Sequence, residues 1–344
     1  MSDAIKEKVR IGLVGCRGWS KMITQPAIRT CSDVVELVAV TSRPENPEPA
    51  REVAEAFGCR FYPSIDELLE DDAVEAVIMI TPNTVHREQT LKCLDAGKHV
   101  FIEKPIANTV EDGIAMTRAA EEAAKTLGLV MQVGHNTRQR RAAKLAMAYA
   151  REGRIGTVIG AEVQYCHDGA SRLPADAWRQ DPAQAPGLPL VQLGIHGIDV
   201  VNMFFGVPRT VASFHRRAVL PRNMDCTASI IAYDPPLTVT LSSNYCVPLT
   251  IWFRLLGTGG TIEARDFYRK FICLRNGEDI EEIDFPEDLS TEAELRAFAR
   301  SIRLGEPVET GGREGVYALA VVEASILSAQ ENRFIDIQEI VGDF

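Results

Sequence analysis

Short apolar runs alternate with amphipathic stretches along the first 134 residues. The runs predict strands at Val9–Gly15, Glu36–Thr41, Arg60–Tyr62, Ala76–Ile80, His99–Glu103 and Leu129–Gly134. The stretches between them have helical character. Ser64-Ile65-Asp66-Glu67 has the form of a capping box, and Gly58, Gly97 and Gly128 stand where helices should stop. This spacing predicts βαβ units and a doubly wound parallel sheet with helices on both faces. Ligands of such a sheet bind beyond the carboxyl ends of its strands, so the residues after each strand are the candidates for chemistry.

From about residue 135 the rhythm changes. A helical stretch at Arg138–Glu152 leads into a strand at Thr157–Cys166, then a Pro- and Gly-rich loop from Asp168 to Pro189 and a helix at Leu193–Phe205. Strands follow at Val211–Val219, Ala228–Tyr233, Thr238–Asn244, Ile251–Leu256 and Thr261–Ala264. Helices at Glu292–Leu304 and Glu314–Gln330 close the chain. Consecutive strands joined by short turns predict an α+β domain with a mainly antiparallel sheet. The expected division is 1–134 and 135–344, consistent with about two domains in 344 residues.

Charge narrows the partners. Lys and Arg total 37 against 48 Asp and Glu, a net charge of −11, which disfavours nucleic acid and anionic membrane as partners. The N-terminal run Met1–Lys8 is charged and lacks the apolar core of a signal peptide, and no apolar run approaches the roughly 18 residues of a membrane span. Eight cysteines are scattered without a C-x-x-C pair, so free thiols and a cytoplasmic setting are expected. His167-Asp168 has no second ligand pair at suitable spacing, so no metal is expected.

After the first strand comes Gly15-Cys16-Arg17-Gly18-Trp19-Ser20. A dinucleotide loop has G-x-G-x-x-G here, for a tight turn, close approach of backbone to pyrophosphate, and helix-on-sheet packing. Gly15 fits, whereas Arg17 and Ser20 fill the second and third glycine places and Gly18 falls one late. Arg17 either obstructs the pyrophosphate or pairs with it. After the second strand, Ser42-Arg43 stands where an acidic residue would accept from a ribose 2′-hydroxyl. A hydroxyl beside a guanidinium suits a 2′-phosphate, which favours NADP over NAD.

The fourth strand ends in Thr81-Pro82-Asn83-Thr84-Val85-His86 and the fifth in Glu103-Lys104-Pro105. With Val133-Gly134-His135-Asn136-Thr137-Arg138, Trp178-Arg179, Gly194-Ile195-His196-Gly197-Ile198-Asp199 and Gly257-Thr258-Gly259-Gly260-Thr261, the whole chain resembles the Gfo/Idh/MocA family of NAD(P)-dependent oxidoreductases. The resemblance implies a Rossmann-like nucleotide domain and a second domain with a large open sheet. It implies hydride transfer between nicotinamide and a carbinol or carbonyl carbon of a small polar substrate, typically a sugar or polyol.

Lys104 matches the family's catalytic lysine, and an ammonium there would stabilise a developing alkoxide. His196 matches a proton donor or acceptor, work that suits imidazole near neutral pH. The resemblance further implies cofactor contacts from Gly15, Cys16, Arg17, Gly18, Trp19, Ser42, Arg43, Thr81, Pro82, Asn83, His86, Glu103, Lys104, Trp178 and Arg179. Substrate contacts are expected from Lys104, His135, Asn136, Arg138, Tyr165, Gln192, His196 and Asp199. Many relatives carry Asp where this chain has Gln192, and an amide cannot charge-balance the histidine, which shifts more of the task to Lys104. Homodimer or homotetramer formation is a family-style expectation. Two other readings stand beside this one: a binding or regulatory protein that has lost dinucleotide, and a hydrolase or lyase using tightly held NAD.

Overall fold

The structure is a computed structural model that describes residues 5–234, 237–276 and 281–344. Half of the charged N-terminal run, residues 1–4, therefore lies outside the described residues. The chain divides into two compact units.

The first unit comprises residues 1–107, 111–135 and 291–315. Its sheet has six parallel strands, β1 (Val9–Val14), β2 (Val35–Thr41), β3 (Arg60–Phe61), β4 (Ala76–Met79), β5 (His99–Glu103) and β6 (Met131–Gly134). They lie in the order β3-β2-β1-β4-β5-β6. The order reverses at β1, which pairs with β2 on one side and β4 on the other and so opens a crevice at its carboxyl end. Every residue of β4 is buried, as expected where both sheet faces are covered. The helix Ile65–Leu69 starts at Ser64, whose hydroxyl accepts from the Glu67 N–H. Gly58, Gly97 and Gly128 end helices with positive φ.

One expectation is corrected here. Residues 291–315, assigned from sequence to the second domain, belong to the first unit. Leu295, Phe298 and Ala299 of the helix Ser290–Leu304 join the core of Ile11, Leu13, Val40 and Phe101, and the Phe101 and Phe298 rings meet edge-on at 5.7 Å. The apolar stripe of that helix was evident, but a stripe does not say which core it will cover.

The second unit comprises residues 108–110, 136–290 and 316–344. Its sheet has nine strands: β7 (Val158–Cys166), β8 (Thr210–Arg216), β9 (Cys226–Tyr233), β10 (Leu237–Asn244), β11 (Thr250–Gly257), β12 (Gly260–Arg265), β13 (Lys270–Arg275), β14 (Glu281–Asp284) and β15 (Ile335–Asp336). The order is β14-β13-β12-β11-β7-β10-β9-β8-β15, antiparallel except for the β7–β10 pair. The helix Ile195–Phe205 packs on β7 so closely that a Cβ on Gly197 would meet Val163 and Tyr165. Burial alternates along β8 and β9, leaving Phe214 64% exposed and Ile230 46% exposed on the uncovered face. Among the described residues, no helix is long and apolar enough to cross a membrane.

Candidate active site

At the crevice of the first unit, Gly15 follows β1 with φ +95°, and a Cβ there would lie 2.2 Å from the Ile80 carbonyl oxygen. Its N–H donates to the Thr41 carbonyl at 3.0 Å. The turn is thus wedged between the ends of β2 and β4, a place only glycine can occupy. Gly18 also has positive φ, with open space around it. Ser20, in the third glycine place, is buried, and Gln25 Nε2 donates to its hydroxyl at 3.3 Å and to the Cys16 carbonyl at 3.1 Å. A small hydroxyl therefore serves where a glycine was expected. Cys16 is buried with its Sγ 3.6 Å from the Thr41 carbonyl, and burial pushes the thiol up to about 12, so this residue offers a ligand only its backbone.

The Arg17 side chain reaches the loop after β2. Its Nη2 donates to Asn46 Oδ1 at 3.3 Å, in the loop after β2, and the Asn46 carbonyl accepts from Ser42 Oγ at 2.9 Å. Arg17 and Arg43 are exposed. The Arg17 guanidinium and the Ser42 hydroxyl thus meet at Asn46 beyond the end of β2, with Arg43 next in the chain, where the adenosine ribose of a dinucleotide would sit. The glycine cradle and these cations fit a dinucleotide.

At the end of β4, Thr81 Oγ1 donates to Gln89 Oε1 at 2.7 Å, and Asn83 is buried. His86, expected to touch cofactor, stands within the fold as a strut. The ring is buried, with Nδ1 3.0 Å from the Pro105 carbonyl and Nε2 3.0 Å from that of Thr81. Its pKa is lowered by burial. His86 ties the end of β4 to the Lys104-Pro105 turn, and the sequence does not distinguish such a strut from a ligand.

Glu103 ends β5, and Lys104 follows it; both are half-buried. Desolvation pushes the Glu103 carboxyl up to about 7 against the opposing pull of the Lys104 ammonium, the Lys104 N–H and the Trp19 side chain. The Lys104 N–H donates to Glu103 Oε2 at 3.1 Å. Trp19 is therefore engaged with the carboxyl beside Lys104. His135 closes the first unit and is fully buried.

In the second unit His196 opens the helix Ile195–Phe205, half-buried, with its ring stacked on that of Tyr165 at 6.0 Å and 23°. Three residues along, Asp199 is buried against Arg138. Arg138 Nε donates to Asp199 Oδ2 at 2.8 Å and Nη2 to Oδ1, with the side chains 7% and 1% exposed. Both were expected to contact substrate. Their forks face each other inside the unit, which makes them a support for the helix that carries His196. Asn136 is buried beside Arg138 in sequence. Arg179 Nε donates to Gln192 Oε1 at 3.2 Å, and the Arg179 guanidinium lies 4.4 Å from the Trp178 ring centroid. His167 is half-buried, its pKa lowered by burial, with Nδ1 accepting from the Gly169 N–H at 2.7 Å.

One feature escaped sequence reasoning. Asp266, Phe267 and Tyr268, between β12 and β13, all have left-handed φ, at 51°, 60° and 64°. Three such residues in a row are costly for side chains with a Cβ. Arg140 braces the turn, donating to the Phe267 carbonyl at 2.6 Å with its guanidinium 4.0 Å from the Phe267 ring. The turn brings the buried Tyr268 ring 6.3 Å from Tyr165, beneath the stack that carries His196. No glycine or periodicity signals it.

Comparison with known proteins agrees with this layout. Residues 9–132 match the model of an oxidoreductase family with an NAD-binding Rossmann fold, and 150–337 match that family's C-terminal α/β domain. The chain is 26% identical to D-xylose 1-dehydrogenase (NADP(+)) 2 of Haloferax volcanii, over 95% of this chain and 99% of the relative. It is 28% identical to 1,5-anhydro-D-fructose reductase of Ensifer adhaerens, over 96% and 98%. The fold is shared with the aldose-aldose oxidoreductase of Caulobacter crescentus, at a TM-score of 0.86 and 24% identity over 96% of this chain and all of that one.

Proposed function

The chain belongs to the Gfo/Idh/MocA oxidoreductase family, and from that premise we propose that it is a sugar or polyol dehydrogenase or reductase with NADP as the favoured dinucleotide. The observation that carries the reading is the Glu103-Lys104 turn at the carboxyl end of β5, held by His86 beside a glycine cradle at the switch point of the sheet. The relatives named for D-xylose and for 1,5-anhydro-D-fructose support the substrate class.

When bound, the dinucleotide supplies the hydride donor or acceptor. Gly15 and Gly18 would admit its pyrophosphate against backbone N–H groups, and Ser42 and Arg43 would meet a 2′-phosphate. On oxidation the Lys104 amine would take the proton of the substrate hydroxyl and become ammonium; on reduction the ammonium would return it, and its charge offsets the developing alkoxide. His196 shares that proton, its ring set by the stack on Tyr165 and its helix by the Arg138–Asp199 pair. Gln192, held by Arg179, offers an amide to a substrate oxygen but no charge to the histidine. A cytoplasmic homo-oligomer joined through the uncovered sheet face of the second unit completes the reading, supported by Phe214 and Ile230 on that face.

The contact of Arg17 with Asn46, in the loop after β2, supports this reading over the binding-only alternative that Arg17, Ser20 and Gln192 motivate. Fluorescence titration with NADPH and, separately, NADH tests the cofactor assignment. Tighter binding of NADPH supports it; preference for NADH keeps the oxidoreductase and discards the role of Ser42 and Arg43. Saturation by neither overturns the proposal.

A further inference from the structure

We propose that Cys226 and Cys246 form a thiol–disulfide exchange site whose reagent is a small disulfide, and that their bridge clamps the loop carrying Trp178 and Arg179. All eight cysteines are free thiols in the structure. Cys226 opens β9 opposite Asn244 of β10, and Cys246 lies two residues beyond Asn244. Just past the end of β10 the Tyr245 N–H donates to the Asp225 carbonyl at 2.7 Å, which keeps the two segments paired and sets the two side chains beside each other. Their sulfurs are 3.3 Å apart, and both residues are half-buried, within reach of a small solute. A disulfide bond is about 2.05 Å long, so the sulfurs need approach by only about 1.3 Å.

The Asp225 carboxylate lies close enough to both sulfurs to suggest a metal site instead. Its oxygens are already engaged. Oδ1 accepts from the Ala218 N–H at 2.7 Å, and Oδ2 accepts from those of Val219 and Leu220, both at 2.6 Å. Two sulfurs remain, fewer than the three or four protein ligands of a zinc site. The dithiol is therefore read as a redox pair.

The same segment holds the long loop. Asn223 Nδ2, buried, donates to the Arg179 and Ala185 carbonyls, both at 2.9 Å. The Asp225 carbonyl accepts from the Tyr245 N–H at 2.7 Å, and Tyr245 packs with Ala170, Ala185, Leu188 and Leu220. Arg179 in turn reaches Gln192. A bond between residues 226 and 246 joins the neighbours of Asp225 and Tyr245, and so stiffens the base on which residues 170–188 rest.

The exchange balances with glutathione disulfide. The thiolate of one cysteine attacks a glutathione sulfur, breaking its S–S bond, forming a mixed disulfide and releasing one glutathione thiol. The second cysteine, losing its proton, attacks the protein sulfur and releases the second glutathione thiol. Two protein thiols are oxidised and one small disulfide is reduced. Burial, with the neighbouring Cys246 sulfur, holds the Cys226 thiol above its ordinary range, so exchange quickens as pH rises.

The test is to incubate the full chain with glutathione disulfide at pH 8, block remaining thiols and map tryptic peptides without reduction. No Lys or Arg separates the two cysteines, so both fall on residues 223–254. The expected result is that this peptide loses two hydrogens and takes no blocking group, and that dithiothreitol reverses the change. In Cys246→Ser, a glutathione adduct on Cys226 is expected to persist. Full blocking of both cysteines in the wild type, or a persistent adduct there, would overturn the exchange site. Brief native trypsinolysis reads the clamp: cleavage after the exposed Arg172 is expected to slow at least roughly threefold in the bridged protein. An unchanged rate with the bridge formed would overturn the clamp.

Discussion

Arg138 and Asp199 face one another across the interior of the second unit, with Nε 2.8 Å from Oδ2 and a second contact from Nη2 to Oδ1. The pair joins the segment that opens the unit to the helix that carries His196. Removing one member of a buried pair leaves the other charge uncompensated, which typically costs about 3–5 kcal/mol. Asp199→Asn is expected to lower stability by several kcal/mol, on that scale. Urea unfolding measures this, and a midpoint equal to that of the wild type would refute the supporting role.

Gly15→Ala tests the cradle. The added methyl would meet the Ile80 carbonyl oxygen at 2.2 Å in a backbone conformation that alanine adopts only under strain. The variant is expected to fold with reduced stability and to bind NADPH at least about tenfold more weakly, equivalent to about 1.4 kcal/mol. Binding of wild-type strength would show that the turn does not receive a dinucleotide.

Glu103 links stability to pH. Its carboxyl has a raised pKa in the folded chain, about 7 against an ordinary 4.5, so the folded state holds a proton that the unfolded state has released between those values. Its favourable contribution is complete below pH 4.5 and is lost as pH rises through 7. Glu103→Gln stays neutral. The thermal midpoint of the variant relative to the wild type is expected to rise between pH 5 and pH 8, by the equivalent of on the order of 2 kcal/mol. A difference that is flat with pH would contradict the assignment.

His215, on β8, works in the opposite direction. It is buried and its pKa is lowered to about 4 by desolvation, so the unfolded chain takes up the proton first as pH falls from 6.5. The neutral ring's contribution is present above pH 6.5 and is lost as pH falls through 4. His215→Leu is expected to flatten the stability profile between those values, measured by urea midpoints at pH 7 and pH 5.

The parallel half of the fold was legible because its strands are buried on both faces and bounded by glycines and a cap. Ala76–Met79 and Val9–Val14 read as strands from composition alone. β13, β14 and β15 were not anticipated. β14 is Glu-Glu-Ile-Asp and β15 has two residues, so neither carries a period of its own, and both exist because a neighbouring strand offers an edge. For the candidate site the sequence offers residue types in position: Gly15 and Lys104 after strands, and His196 on a helix. What each side chain does was less so. His86 and Asp199 have the chemistry of ligands, and only their packing shows that they face carbonyls and Arg138. Tyr268 reaches the site through a left-handed turn without glycine, for which the sequence carries no signal.

The central claim is that this family member moves a hydride to or from a CH–OH carbon with Lys104 handling the proton. It is tested by following absorbance at 340 nm as wild type and Lys104→Met meet a panel of aldoses and polyols with NADP+, and their oxidised counterparts with NADPH. The account predicts turnover of at least one sugar or polyol by the wild type. It predicts a loss of about 10²–10⁴ in kcat for the variant, with folding and NADPH affinity retained. Full turnover by Lys104→Met, or no change in NADPH with any member of the panel despite tight dinucleotide binding, would contradict it.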